Sequence, residues 1–335
     1  MEQSSVSIAF YDTRNYDRDA FTRENRQFLY NIDFFDFHLD EKTALTAKGY
    51  DVVCAFVNDS LSAKVIYILK DCGVKLIAMR CAGYNNVDLA AAKEAGIPVV
   101  RVPAYSPHSV AEHAASLLLS LTRRIPQAYM RTRTGNFSLN GLTGRDLHGL
   151  TAGILGTGKI GKIFAEILSG FGMNIEVYDV YPDTAWAEAH KFKYVRLDEL
   201  FKDADVLSLH CPLTDNTKHI INEQSLALMK RDAVIINTGR GALIDTKALV
   251  YSLKKQTIGG AALDVYEEES RYFFDDWSVD VIRDDTLARL LTFPNVIITG
   301  HQAFLTSNAL QAIAQTTLGN VKQFIESGLV QNEVQ

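Results

Sequence analysis

The sequence predicts an α/β protein of two doubly wound parallel-sheet domains, and three observations carry that reading. Short apolar runs of strand length alternate with segments whose apolar residues recur at helical spacing. The alternation breaks at Val102-Pro103-Ala104-Tyr105, where a proline-stiffened strand end meets a strong helix start. At 335 residues the chain is also long for one hydrophobic core, given about 100–200 residues per domain.

In the first hundred residues, Val6 to Tyr11, Asp51 to Val57 and Lys75 to Met79 read as buried strands. Phe21 to Tyr30, Leu61 to Lys70 and Asp88 to Ala95 read as the helices between them. The loop after the third strand, Cys81-Ala82-Gly83-Tyr84-Asn85-Asn86, lies at a strand's C-terminal end, where open parallel sheets bind ligands, and Gly83 permits close backbone approach. A plain turn, with asparagines for their conformational tolerance, fits the same residues. Beyond the break, Ser106 is the expected N-cap and Pro107 the first residue of a helix to about Leu121. His108, Glu112 and His113 on that helix match neither HExxH nor HxxEH, so no metal is expected. Arg131 to His148 is polar and glycine-bearing, either a solvated loop or an arm reaching a second subunit.

Thr151 to Gly161 organises the rest of the chain. A strand runs into Gly156-Thr157-Gly158-Lys159-Ile160-Gly161 and out into a helix. In that context Gly156 makes the tight turn, Gly158 lets backbone amides approach a pyrophosphate and Gly161 lets the helix lie close on the strand. The helix N-terminus supplies anion-binding N–H groups. Asn174 to Asp179 reads as the next strand, and Asp179 falls close to the roughly 20-residue spacing of a ribose-binding acid. Strand, loop, helix, strand and acid in that order read as a dinucleotide site.

Composition narrows the partners. The chain is 47% hydrophobic with a net charge of -6 and no basic run, which argues against nucleic acid and anionic membranes and for a small-molecule ligand. Cys54, Cys72, Cys81 and Cys211 show no metal-ligand spacing and read as reduced thiols. Met1 to Ser5 carries no basic targeting region, and the longest apolar run, near Leu117, is too short to span a bilayer. A cytoplasmic protein is expected.

After Asp179 four more strands are expected. They are Asp205 to Leu209, Ala233 to Asn237, Ile258 to Leu263 and Val296 to Thr299. Gly156, Asp179, Arg240, Asp264 and His301 thus mark C-terminal ends of parallel strands, one edge of one sheet. Singly each has a dull explanation, since Arg240 suits a surface ion pair and Glu269 belongs to the acidic run Glu267-Glu268-Glu269. Together they suit hydride transfer to a 2-oxo acid. The Arg240 fork would hold a carboxylate through two parallel hydrogen bonds. His301 would protonate the carbonyl oxygen as hydride arrives, and Glu269 would orient the imidazole and favour its charged form.

The glycine loop, the Asn237-Thr238-Gly239-Arg240-Gly241 block, Ala262-Leu263-Asp264-Val265-Tyr266-Glu267 with Glu269 beyond, and Gly300-His301-Gln302-Ala303-Phe304 resemble the D-isomer-specific 2-hydroxyacid dehydrogenases. Among these the chain is most similar to the members that interconvert pyruvate and D-lactate. The likeness extends through Met79 to Asp88 and Arg101 to Pro107. Gly300 stands where many relatives have proline, but the histidine itself is in place.

The resemblance implies a Rossmann NAD-binding domain over residues 104–297, inserted in a flavodoxin-like substrate domain of residues 1–103 and 298–335. It implies NAD as cofactor, with contacts from Gly156, Gly158, Lys159, Ile160, Gly161, Asp179, Cys211, Pro212, Thr217, Thr238, Gly239 and Asp264, the last near the nicotinamide. It makes Arg240, Glu269 and His301 catalytic, and Ala82, Gly83, Tyr105 and Phe304 substrate contacts. Tyr105 and Phe304 would cap the carbon opposite the carboxylate and fit pyruvate. A homodimer or homotetramer is also implied. Alternatives are a dehydrogenase of another D-2-hydroxy acid and an NADH-sensing corepressor-like protein.

Overall fold

The computed structural model describes residues 6–328 and 330–334. Met1 to Ser5, read above as lacking a targeting region, lies outside the described residues. The chain divides into two compact units, Met1–Ser106 with Leu305–Gln335, and Pro107–Phe304. The second crossing follows Phe304 rather than residue 298, so His301 and Phe304 share a unit with the glycine loop. Among the described residues no helix is long and apolar enough to cross a membrane.

In the first unit, strands β1 (Ser7–Phe10), β2 (Asn31–Phe34), β3 (Val52–Ala55), β4 (Leu76–Met79) and β5 (Val99–Val100) form a parallel sheet in the order β2-β1-β3-β4-β5. That is the flavodoxin-like order. β3 and β4 are buried at every position, so their sequences Val-Val-Cys-Ala and Leu-Ile-Ala-Met are apolar throughout. The helix Ala63–Asp71 is capped by Ser62, and the helix Leu89–Ala95 starts at Asp88, whose carboxylate accepts the Ala91 amide at 3.0 Å. The long helix Ser307–Ser327 packs on Asn15–Glu24 and β4, and Gln315 reaches the Glu24 carboxylate at 2.9 Å.

One expected helix is corrected. The segment expected over Phe21 to Tyr30 is helical earlier, at Asn15–Glu24, and closes with a single 3-10 turn. The Asn25 side chain bonds both the amide and the carbonyl of Tyr30, and Leu29 turns left-handed at φ 59°, swinging the chain into β2. β2 was not anticipated. It alternates exposed and half-buried residues, Asn-Ile-Asp-Phe, as an edge strand does, and a search for apolar runs passes over it.

In the second unit, β6 (Thr151–Leu155), β7 (Asn174–Tyr178), β8 (Lys193–Tyr194), β9 (Val206–Leu209), β10 (Val234–Asn237), β11 (Gly260–Leu263) and β12 (Val296–Ile298) form a seven-stranded parallel sheet. Its order is β12-β11-β10-β9-β6-β7-β8, the Rossmann 3-2-1-4-5-6 pattern extended by one strand. The helix Lys159–Gly170 follows the glycine loop, and its buried Gly161, Phe164, Ala165 and Leu168 pack with the helix Pro107–Thr122. A further helix, Ile125–Arg133, takes the first residues of the segment read as a loop from Arg131.

Candidate active site

In the glycine loop, packing decides what each glycine does. A Cβ at Gly156, which sits at φ 101°, would lie 2.5 Å from the Cys211 amide nitrogen, and one at Gly161 would lie 2.0 Å from the Gly156 carbonyl oxygen. Neither position has room for a side chain. Gly158 is different, because a Cβ there would meet nothing within 4 Å. Gly158 caps the helix, and the first amides of a helix, here those of Lys159 and Ile160, have no carbonyl a turn behind them. Open backbone amides at a helix start suit a pyrophosphate.

At the end of β7 the Asp179 carboxylate accepts the Thr157 amide at 2.6 Å and the Tyr181 amide at 2.9 Å. The acid therefore braces the glycine loop. Sequence reading missed Thr157, whose hydroxyl also meets the Tyr194 hydroxyl at 2.8 Å. The loop after β9 is shaped by Thr217, whose hydroxyl donates to the Pro212 carbonyl at 2.6 Å and accepts the Thr214 amide at 2.7 Å. Beside it, burial pushes the Cys211 thiol up to about 11, keeping it protonated. After β10 the Thr238 hydroxyl is buried with no hydrogen-bond partner among the described residues. An open helix start, an acid at the second strand end and an unsatisfied hydroxyl along one sheet edge fit a dinucleotide.

Arg240 leaves β10 in a loop closed by Asn237. That fully buried amide accepts the Gly239 amide at 3.0 Å and donates to the Arg240 carbonyl at 2.9 Å. The guanidinium donates to the Gly239 carbonyl at 2.8 Å, and among the described residues no carboxylate pairs with it. Gly241 behind it has no substitute, since a Cβ would lie 2.1 Å from the Tyr266 carbonyl carbon.

His301 follows β12, and its Nδ1 meets the Glu269 carboxylate at 2.9 Å. Glu269 also accepts the Tyr266 amide at 3.0 Å, which fixes the acid. Of the acidic run only Glu268 is exposed, because Glu267 pairs with His219 at 2.6 Å. The His301 backbone is left-handed at φ 53°, uncommon outside glycine, and its amide donates to the Asp264 carbonyl at 2.7 Å. The Phe274 ring stands 5.8 Å from the imidazole, so the acidic and aromatic insertion after Glu269 reaches the histidine.

Asp264 was placed near the nicotinamide by resemblance. Its carboxylate is fully buried, accepting the Thr299 hydroxyl and the Gln302 amide on one oxygen and the Ala303 amide on the other. Its part in the geometry is to anchor the histidine loop. Gly156, Asp179, Cys211, Thr238, Arg240, Asp264, Glu269 and His301 all follow C-terminal ends of strands of this one sheet, whereas Ala82, Gly83 and Tyr105 belong to the first unit. There the Arg101 guanidinium donates to the Ala82 carbonyl at 2.8 Å, while the amides of Ala82 and Gly83 make no hydrogen bond among the described residues. Phe304 is buried at the end of the second unit.

Residues 115–303 match the family model of the D-isomer specific 2-hydroxyacid dehydrogenase NAD binding domain. The chain belongs to the D-isomer-specific 2-hydroxyacid dehydrogenase family. Within that family it is 51% identical over 329 residues to D-lactate dehydrogenase of Escherichia coli, covering 98% of this chain and 100% of that protein, whose apo structure matches with a TM-score of 0.91. It is 43% identical over 329 residues to an aromatic 2-oxoacid reductase of Clostridium sporogenes, covering 98% and 99%. D-lactate dehydrogenase with NAD+ from Lactobacillus jensenii matches with a TM-score of 0.82 at 30% identity, covering 98% and 100%. This 2-hydroxyacid dehydrogenase is an NAD-dependent oxidoreductase that acts on D-2-hydroxy acids.

Proposed function

We propose that the enzyme reduces pyruvate to D-lactate with NADH, reversibly. The observation that carries the proposal is the His301–Glu269 pair on the sheet edge that also holds Arg240, a guanidinium with no acid partner among the described residues. The Arg240 fork takes the substrate carboxylate through two parallel hydrogen bonds. Ala82 and Gly83 are proposed as substrate contacts on the family resemblance. When bound, NADH supplies a hydride to the carbonyl carbon. With Nδ1 turned to Glu269, Nε2 of His301 is the nitrogen left to face substrate, and it gives its proton to the carbonyl oxygen as charge develops there. Glu269 holds the ring and stabilises its charged form. In the oxidative direction Nε2 takes the hydroxyl proton back.

The cofactor is held in this proposal by Gly156, Gly158, Lys159, Ile160 and Gly161 at the pyrophosphate and by Asp179 at the ribose. Cys211, Pro212, Thr217, Thr238 and Gly239 line the same edge. Tyr105 and Phe304 are the proposed contacts of the substrate methyl group, and aromatic rings there favour pyruvate over longer 2-oxo acids. The exposed apolar side chains of Ile125, Tyr129, Met130, Phe137 and Leu139 support a homo-oligomer, dimer or tetramer. The four free cysteines support a cytoplasmic location.

Loss of NADH absorbance with a panel of 2-oxo acids tests the substrate. Pyruvate should be preferred over 2-oxobutyrate by roughly 10–200-fold, one methylene's worth of discrimination. Preference for phenylpyruvate or 2-oxoisocaproate would replace pyruvate by a larger acid, as the similarity to an aromatic 2-oxoacid reductase allows.

A further inference from the structure

His113 entered the sequence only as a zinc ligand that failed its spacing. In the structure His108 and Glu112 on the same helix are exposed, while His113 turns inward. Its Nε2 lies 3.2 Å from both the Thr299 hydroxyl oxygen and the Asp264 carboxylate. The Thr299 hydroxyl has one proton, and that proton goes to Asp264. Nε2 of His113 must therefore carry the hydrogen and donate to the oxygens it faces. One helical turn earlier, the Ser109 hydroxyl donates to the Ala303 carbonyl at 2.7 Å. The helix Pro107–Thr122 thus grips the histidine loop at two points on one face.

We propose that His113 is a positioning residue for His301, acting through the Asp264 carboxylate that clamps residues 299–303. The clamp has a definite task. His301 sits in a left-handed conformation that a side chain disfavours, and such backbone persists only where its surroundings over-determine it. Asp264 supplies that over-determination from both ends. Its carbonyl takes the His301 amide, and its carboxylate takes the two amides that follow and the hydroxyl that precedes. The carboxylate can accept all of these only while ionised, in a place with no water access. His113 is the donor from outside the loop and, among the described residues, the one titratable side chain within ion-pair distance of Asp264.

Burial pushes the Asp264 carboxyl upward, and donation from His113, Thr299 and the amides of Ala303 and Gln302 outweighs it, holding the group below the usual carboxylate range. A lowered value means that the clamp is intact above it and is lost as pH falls through it. Without the His113 donor, burial weighs more, and the loss moves to higher pH.

The inference rests on His301 as proton donor, so His301→Ala is measured alongside. Its kcat should be almost abolished at every pH, and a fully active His301→Ala would overturn the proton-donor reading itself. His113→Ala and His113→Gln are assayed for kcat against pH at saturating NADH and pyruvate. His113→Ala should lose kcat on the acid side at a higher pH than the parent, and on the order of 10–100-fold at neutral pH from a displaced His301. KM for pyruvate should change little. His113→Gln, whose amide nitrogen replaces Nε2, should recover most of kcat and the parent profile. If His113→Ala does not fold, Thr299→Val removes the other side-chain donor and should show the same acid-side displacement. A parental pH profile in the alanine or valine variant, with His301→Ala inactive, would overturn the role of His113 while leaving His301 in place, as would a glutamine variant no better than alanine.

Discussion

Nδ1 of His301 and the Glu269 carboxylate stand 2.9 Å apart, and the same acid is fixed by the Tyr266 amide. The pair therefore has one orientation, with Nε2 left for substrate. Removing the proposed proton donor, as in His301→Ala, should lower kcat for pyruvate reduction by about 10²–10⁴-fold. Glu269→Gln keeps a hydrogen-bonding group but not the charge, so the imidazolium becomes easier to deprotonate. Reduction, which consumes that proton, should then fade at lower pH than in the parent. An unchanged pH profile would count against the pairing.

Among the described residues Arg240 donates only to the neighbouring Gly239 carbonyl, which leaves most of its fork available. Breaking a buried ion pair by removing one partner costs roughly 3–5 kcal/mol, on the order of a hundred- to several-thousand-fold in kcat/KM. Arg240→Lys should be impaired to that extent, since a point charge does not reproduce two parallel bonds. Near-parental kcat/KM for that variant would remove Arg240 from the site.

Asp179 braces the glycine loop and is proposed to meet the cofactor ribose, and substitution separates the two. Asp179→Asn keeps an acceptor for the Thr157 amide but loses the charge that repels a 2′-phosphate, so the preference for NADH over NADPH should narrow with the loop intact. Asp179→Ala should lose both, with a further rise in KM for NADH. Equal use of both cofactors by the parent enzyme would contradict the assignment.

Two glycines should respond in opposite ways. Gly158→Ala adds a Cβ where nothing lies within 4 Å, so it should melt like the parent and raise KM for NADH by obstructing the approach of the pyrophosphate. Gly241→Ala drives a Cβ to 2.1 Å from the Tyr266 carbonyl carbon, a backbone contact that cannot swing aside. Its loss of stability should reach or exceed the ~1–3 kcal/mol of ordinary overpacking. Melting curves together with NADH saturation curves separate the two, and a Gly241→Ala protein as stable as the parent would refute the packing argument.

The sequence showed what local rules encode. β6 and β7 with their glycine loop lie where hydrophobic period and glycine spacing place them, because each is a contiguous signal. β2 and β8 were missed, the first for its polar edge alternation and the second for being two residues long, while β5 lies just before the strand end expected at Val102. Side-chain partners across the fold were the least legible. Thr157 on Asp179, Phe274 against His301 and His113 on Asp264 each join residues far apart in the chain, and no spacing rule reports them. Asp264 shows the limit most clearly. Resemblance placed it near the nicotinamide, and the three-dimensional arrangement adds that its carboxylate is enclosed and bonded to the histidine loop.

The most direct test of the proposed activity runs the reaction backwards with the two enantiomers kept apart. Pure enzyme with NAD+ and D-lactate should generate NADH, with pyruvate accumulating in equal amount, and L-lactate under the same conditions should generate none. NADH formation from L-lactate, or none from D-lactate where another D-2-hydroxy acid reacts readily, would contradict the account.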